Sequence, residues 1–132
     1  MPYAIDPEDI SYTYAGASTA GALPRWFVNN FCREQNQEHF DYAKLYQSCP
    51  DSAGDVFFLP YLSKVSLMDP NNHALGGFLG IDVTVTKPQM FRALLEGLSC
   101  ETRVSMEIFA HIGVETKKIT ASGGVSNAEL YM

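Results

Sequence analysis

The sequence predicts a domain of the α/β class, and three stretches carry this prediction. Val56-Phe57-Phe58-Leu59 is a continuous apolar run that ends at Pro60, the pattern of a strand buried on both faces. Residues 88–112 place apolar side chains at the spacing of a long helix. Residues 118–131 have the pattern of a strand, a Gly-Gly turn and the start of a helix.

Composition narrows the class of protein. A chain of 132 residues is expected to form one domain with a core, and 46% hydrophobic with 18% charged residues is typical of a folded globular chain. A net charge of −6 disfavours nonspecific binding to nucleic acid, which requires lysine and arginine. No apolar run approaches the ~20 residues of a membrane span, and the N-terminus lacks the regions of a signal peptide. We therefore expect no nucleic-acid partner, no membrane association and a cytoplasmic location.

Shorter elements are predicted along the chain in order. Residues 11–15 are β-branched and aromatic and predict a strand that ends at a glycine. Residues 22–31 predict a helix with a proline in its first turn, and residues 39–47 predict a second, weaker helix. Residues 78–85 predict another short strand.

The long helix has clear ends in the sequence. Thr86 is a suitable N-cap, Pro88 suits the first turn, and Gly113 is a suitable stop. Arg92 and Glu96 are four residues apart, and we expect a helical ion pair worth only ~0.2–0.5 kcal/mol if exposed. We expect the helix to be largely buried, because its apolar residues extend beyond one stripe: Phe91, Leu94, Leu95, Leu98, Met106, Ile108, Phe109 and Ile112.

The Gly-Gly turn at residues 122–127 is the stretch best suited to a ligand. Glycine has no Cβ, so a ligand can approach the backbone closely, and the N–H groups that open the next helix attract anions. Alternatively, the two glycines serve only to let the strand and helix pack closely. The turn alone does not decide between these interpretations.

The remaining reactive side chains show no metal or catalytic pattern. The cysteines form no CxxC pair, and neither they nor the histidines have metal-ligand spacing. We predict reduced, structural cysteines and histidines without a catalytic role: Cys32, Cys49, Cys100, His39, His73 and His111.

Four motifs in order resemble the C-terminal domain of the FGGY carbohydrate kinases, a family that includes xylulokinases, glycerol kinases and ribulokinases. They are LPYLS (59–63), GGFLGI (76–81), RALLEG (92–97) and SGG (122–124). The resemblance covers about residues 12–132. It implies a ribonuclease H-like, actin-like ATPase fold with a mixed sheet flanked by helices. Members are several times longer, so we expect residues 1–132 to be a single partial domain, a fragment of such a kinase.

The resemblance also implies a site and its ligands. It implies an ATP-dependent kinase that phosphorylates a hydroxyl of a small sugar or polyol with Mg²⁺. Gly21 would lie against the phosphates, with Arg25 where glycerol kinases have glutamine, while Gly123, Gly124 and Asn127 would lie at the adenosine end. Alternatively, Gly21 belongs to a small-residue loop that lets the next helix pack. The family's catalytic aspartate and first phosphate loop lie upstream, so no catalytic residue or metal ligand is predicted in this chain.

One departure from the family pattern leaves a second function open. After Ser63 the family usually continues with Gly-Glu-Arg, whereas this chain has Lys64-Val65-Ser66, and Asp69-Pro70 falls two positions early. The alternatives are a degenerate kinase-like domain that binds nucleotide or a protein partner without catalysis, or a generic α/β binding domain that carries SGG by chance. An incomplete sheet would also expose apolar surface and favour a homo-oligomer of the isolated chain. The sequence does not specify the sugar.

Overall fold

The computed structural model describes residues 21–34, 39–62 and 74–120. In chain order, the elements are helix α1 (Leu23–Phe27), a π-helical turn (Val28–Cys32), helix α2 (Tyr42–Ser48), strand β1 (Phe57–Leu59), strand β2 (Gly77–Leu79) and helix α3 (Lys87–His111). The predicted strand at residues 11–15 and the Asp69-Pro70 turn lie outside the described residues.

Helix α3 dominates the fold, and its ends are those that the sequence predicts. The Thr86 hydroxyl accepts a hydrogen bond from the backbone N–H of Gln89, and Pro88 lies in the first turn. Gly113 has φ +83°, a left-handed conformation that suits glycine just after a helix. These local signals determine where the 25-residue helix begins and ends.

The core packs against the first half of α3. Phe91, Leu94 and Leu98 are almost fully buried, and Leu95 is 2% exposed. The Phe27 ring centroid of α1 lies 5.4 Å from that of Phe91 and 6.2 Å from that of Phe78. Aromatic and aliphatic side chains from both strands, α1 and α2 therefore meet on one face of α3.

The second half of α3 differs from the prediction of a largely buried helix. Met106 and Phe109 are half-buried, but Ile108 is 40% and Ile112 62% exposed. The fully buried core cluster contains α3 residues only from Phe91 to Leu98, so it does not extend into the second half of the helix. Apolar spacing predicted the helix correctly, but it could not show how far along the helix the core extends.

The two described strands form an antiparallel pair, with Phe58 opposite Phe78. Their ring centroids lie 4.6 Å apart, and both side chains pack with the core. Phe57 is 62% exposed, however, because alternate residues of a strand face opposite sides and only one side of β1 meets the core. The prediction that Val56–Leu59 is buried on both faces is therefore wrong.

Other strand predictions also need correction. Strand β2 ends at Leu79 rather than continuing to residue 85, because Gly80 takes φ +76° and the Asp82 carboxylate accepts hydrogen bonds from the backbone N–H and hydroxyl of Thr84. These features form a turn. Ile119 and Thr120 are exposed and not in a strand, because no described strand pairs with them. Within the described residues the sheet is antiparallel, not mixed.

Helices α1 and α2 depart from the predictions only at their ends. The predicted helix at 22–31 is an α-helical segment that continues into the π-helical turn, where Arg33 N donates to Val28 O. Helix α2 begins at Tyr42 rather than residue 39, because the Asp41 side chain accepts from Lys44 N and acts as N-cap. Throughout the described segments, no helix has the length and apolar composition needed to cross a membrane.

Candidate functional site

The predicted phosphate-binding end lies where α1 begins. The first backbone hydrogen bond runs from Trp26 N to Ala22 O at 2.8 Å, so the N–H groups before it lack a helical partner. Ala22, the N-cap, has no side-chain oxygen to accept from them. Gly21 is exposed directly before this helix start. Pro24 has no N–H, so Leu23 and Arg25 carry the backbone donors of the first turn.

Gly21 is not required by packing among the described residues. A Cβ built on it would meet no described atom within 4 Å, and its φ is not in the left-handed range. The alternative interpretation, a small-residue loop that lets the helix pack closely, therefore finds no support at Gly21 itself. An open surface at a glycine is what the close approach of a ligand requires.

Arg25 lies in the first turn of α1, four residues after Gly21. Its side chain is exposed, and no hydrogen bond or ion pair joins it to another described residue. The structure thus places Gly21 and Arg25 on the same short segment. An exposed guanidinium beside unpaired backbone N–H groups has the chemistry to bind an anion.

The remaining predicted nucleotide contacts cannot be placed. Gly123, Gly124 and Asn127 lie outside the described residues. Residues 114–120, which lead toward them, have no regular secondary structure and are exposed. Gly21 and Arg25 are consequently the described part of the predicted site.

The helix behind Gly21 is anchored by aromatic packing. Trp26 is half-buried against the core, and its ring meets that of Phe31 edge-on with centroids 5.5 Å apart. Phe27, fully buried, packs against Phe31 at 5.0 Å. The Asn30 side chain donates to Trp26 O at 2.7 Å. These contacts join α1 to the π-helical turn, and the contact of Phe27 with Phe91 fixes the segment to α3 without using Gly21 or Arg25.

The Arg92–Glu96 ion pair is confirmed, and it does more than link two turns of α3. Arg92 Nε lies 2.8 Å from Glu96 Oε1, which also accepts from Ala53 N, 43 residues earlier in the sequence. Gln89 Nε2 donates to Ala53 O at 3.0 Å. Both backbone groups of Ala53 are therefore bound by α3, so this network anchors the loop before β1.

A groove of about 480 Å³ lies between β1 and residues 93–108 of α3. Its walls are mostly apolar, with Phe57, Val104 and Ile108 among them, but Glu101 also faces it. Glu101 Oε2 is buried and has no hydrogen-bond partner among the described residues. Desolvation raises the pKa of the Glu101 carboxyl above its ordinary value. No sequence pattern indicated this groove, since its two walls are distant in the chain.

The cysteines and histidines show no catalytic arrangement in the described part of the chain. Cys32 and Cys49 pack against the core, and burial raises the pKa of each thiol. The positive charge of Lys87 partly offsets this rise in pKa at Cys32, and that of Arg92 does so at Cys49. Cys100 is exposed, so the prediction of a structural role is wrong for it. His39 and His111 are exposed, and His73 is not described. Residues 21–34, 39–62 and 74–120 contain no cluster of three potential metal ligands.

Two glycines of the quoted motifs have packing roles that the sequence analysis did not assign. A Cβ on Gly97, in the middle of α3, would overlap the carbonyl oxygen of Phe58. A Cβ on Gly76 would lie 2.8 Å from Leu59 O and 2.5 Å from a Leu62 methyl group. A signal existed for Gly97, because glycine inside a helix costs about 1 kcal/mol and so points to a close approach.

Comparison with known proteins confirms the resemblance drawn from the four motifs. Residues 4–132 match the family model described as "FGGY family of carbohydrate kinases, C-terminal domain". A xylulose kinase of Staphylococcus epidermidis is 26% identical over 124 residues, which are 94% of this chain and 25% of the relative. The chain therefore spans about a quarter of the length of the curated relatives it matches most strongly.

Solved structures agree on the fold. A xylulose kinase from Rhodospirillum rubrum superimposes with a TM-score of 0.69 and 24% identity, covering 84% of this chain and 22% of that one. A Plasmodium falciparum glycerol kinase with ADP gives a TM-score of 0.65 and 20% identity, covering 86% and 22%. Both are sugar or polyol kinases of the actin-like ATPase fold. The predicted fold class is thus confirmed at this level, while the ribonuclease H-like sheet is not.

Proposed function

Because the chain belongs to the FGGY family of carbohydrate kinases, we propose that it is a partial domain of an ATP-dependent kinase that phosphorylates a sugar or polyol hydroxyl. Its contribution is part of the ATP pocket, and the location of the enzyme is cytoplasmic. The observation that carries the proposal is the family match over residues 4–132. The exposed helix start at Gly21, which no contact with the described residues explains, supports the role in ATP binding.

The reaction moves the γ-phosphoryl group of ATP to a hydroxyl oxygen of the substrate. The new P–O bond forms as the bond to ADP breaks, and a base accepts the hydroxyl proton. The described residues would act on the phosphates. The backbone N–H groups at the start of α1 and the Arg25 guanidinium would donate hydrogen bonds to them, and Gly21 would let them approach the backbone.

The other contacts of the proposed pocket rest on the family resemblance. Gly123, Gly124 and Asn127 would bind the adenosine end, with a glycine backbone that a nucleotide can approach closely. The family implies Mg²⁺, but the described residues offer no set of ligands for it, so no step is assigned to the metal here. The catalytic base and the first phosphate loop would come from the rest of the polypeptide.

The absence of Gly-Glu-Arg after Ser63 favours a second candidate function, a kinase-like domain that binds nucleotide without transferring phosphate. The two candidates differ in one measurable step. A kinase releases ADP only when its sugar or polyol is present, whereas the degenerate domain binds nucleotide and releases none. The measurement is ADP release by the purified full-length parent, incubated with ATP, magnesium and a panel of substrates that includes xylulose and glycerol. The 132-residue chain alone is expected to release no ADP, because one wall of the cleft is missing.

Substitutions in the parent test the pocket itself. Gly21→Val and Gly124→Val should raise the KM for ATP more than the KM for the sugar, because a branched Cβ blocks approach to the backbone at the nucleotide site alone. Gly77→Val is the control, since a Cβ there also meets no described atom within 4 Å but lies outside the proposed pocket. Equal effects on both substrates, or an effect of Gly77→Val as large as the others, would contradict the assignment.

A further inference from the structure

We infer that the groove between β1 and residues 93–108 of α3 is the docking surface for another segment of the same kinase polypeptide, one that presents apolar side chains and a lysine or arginine to Glu101. This inference rests on the proposed function, because it requires that the chain belong to a longer kinase. The occupant is specified by its chemistry, and three features of the groove define that chemistry.

The first feature is an apolar lining that the described residues leave uncovered. Phe57 is 62%, Val104 48% and Ile108 40% exposed, and these side chains line one cavity of about 480 Å³. Large apolar side chains grouped around a concave surface mark a place where another element packs. At roughly 25 cal/mol per Å² of apolar surface, covering such a groove favours docking.

The second feature is the charge at the edge of this apolar surface. Glu101 Oε2 is buried with no hydrogen-bond partner, and no described residue forms an ion pair with this carboxylate. Glu96, the other acid in the lining, is already paired with Arg92. A desolvated carboxylate without a partner is unfavourable, and a cationic side chain is the group that relieves it. An occupant that brings a lysine or arginine therefore complements both parts of the groove.

The third feature identifies the source of the occupant. The matched xylulose kinase aligns with 94% of this chain but has four times its length, since the chain covers 25% of it. Most of such a polypeptide thus lies outside these residues and is available to cover their exposed faces. A second copy of the chain is a poorer match, because each copy carries a net charge of −6 and would bring acid to an acidic groove.

Cys100 provides a direct probe, because it lines the groove and is exposed in the described structure. Full-length parent and the 132-residue chain are labelled with a maleimide, and labelling of each cysteine is followed by peptide mass spectrometry. We expect Cys100 to react at least about tenfold more slowly in the parent, the factor that ~1.4 kcal/mol of docking free energy gives. Cys49, half-buried against the core, is the internal control and should react equally in both.

Reversing the charge at Glu101 tests whether the occupant of the groove carries a lysine or arginine. In the parent, Glu101→Lys should restore fast labelling of Cys100, because it places two positive charges together in the groove. Glu107→Lys is the matched control, an exposed acid on the same helix, and should leave labelling slow. The comparison of wild type with Glu101→Lys is made within the parent, so it holds even if the isolated chain does not fold.

Three results would overturn the inference. Equally fast labelling of Cys100 in parent and isolated chain would mean that the groove is open in the kinase, and equally slow labelling would mean that the 132-residue chain covers the groove itself. Protection that Glu101→Lys does not relieve would exclude a cationic occupant. A second copy would be the occupant if protection of Cys100 in the isolated chain rose with the concentration of that chain, and if sedimentation showed a dimer that Val104→Asp abolishes. A parent that lacks kinase activity but shows the expected labelling would reject the proposed function and keep the docking surface.

Discussion

Replacing Gly97 by alanine sets helix propensity against packing, and the structure predicts that packing prevails. Alanine in a helix interior is favoured over glycine by about 1 kcal/mol, so propensity alone predicts a more stable protein. A Cβ on Gly97, however, would overlap Phe58 O and lie 3.3 Å from Phe58 C. This carbonyl belongs to β1, which is paired with β2, so it cannot rotate away as a flexible side chain can.

The expected magnitude follows from these two effects. Adding a methyl group to a filled interior costs about 1–3 kcal/mol, and a backbone obstacle places Gly97→Ala at the upper end. Subtracting the gain of about 1 kcal/mol in helix propensity leaves a net loss of ~2 kcal/mol. For a chain of this size, that loss lowers Tm by about 8 °C.

Urea and thermal unfolding followed by far-ultraviolet circular dichroism measure the effect. Gly77→Ala is the matched control, because its Cβ would meet nothing within 4 Å, and its stability should change by less than about 0.5 kcal/mol. The same two variants in the parent polypeptide should rank in the same order. If Gly97→Ala equals or exceeds the wild type in stability while Gly77→Ala is neutral, α3 and β1 are not in the close contact described here.

Two further predictions concern the acids of α3. Glu96→Ala should lower the free energy of unfolding by about 1–2 kcal/mol, because Arg92 and Ala53 N both lose their partner, although partial exposure screens the charge. Urea unfolding measures this loss of stability. The control is Glu107→Ala, which removes an exposed ion pair and should lower the free energy of unfolding by less than about 0.5 kcal/mol. Equal losses in the two variants would contradict the network. In the isolated chain, the pKa of Glu101 is raised, so the folded state binds the carboxyl proton more tightly than the unfolded state does. The contribution of this proton to stability is therefore full below pH 4.5 and is lost as the pH rises toward the folded pKa. Unfolding between pH 4 and 7 should show this decline in the wild type and a smaller one in Glu101→Gln, and identical pH profiles would contradict it.

The family resemblance indicates Gly21 and Arg25 from one short stretch of sequence, and they lie at the start of α1. Their role in binding ATP stays a prediction. The groove beside Glu101 could not be found in this way, because its walls come from residues 56–61 and from 93–108. No short motif encodes the distance between two such segments.

The sequence by itself determined the family, the length of α3 and the position of β1. Each depends on residues close together in the chain: four short motifs, the cap at Thr86, the stop at Gly113, and an apolar run that ends at Pro60. A helix cap acts over about three residues, so its effect is the same whatever surrounds the helix.

Only the tertiary structure decided which faces of these elements are buried and which residues are constrained by contact. The apolar run Phe57–Leu59 would have the same sequence whether one or both faces of the strand were buried. In the structure α3 packs against one face only, so Phe58 is buried and Phe57 is exposed. Gly97 and Ala53 likewise owe their roles to contacts across the fold, with Phe58 O and with Glu96. Burial and close approach depend on the whole packed arrangement, because the atoms that meet are brought together by elements far apart in the chain.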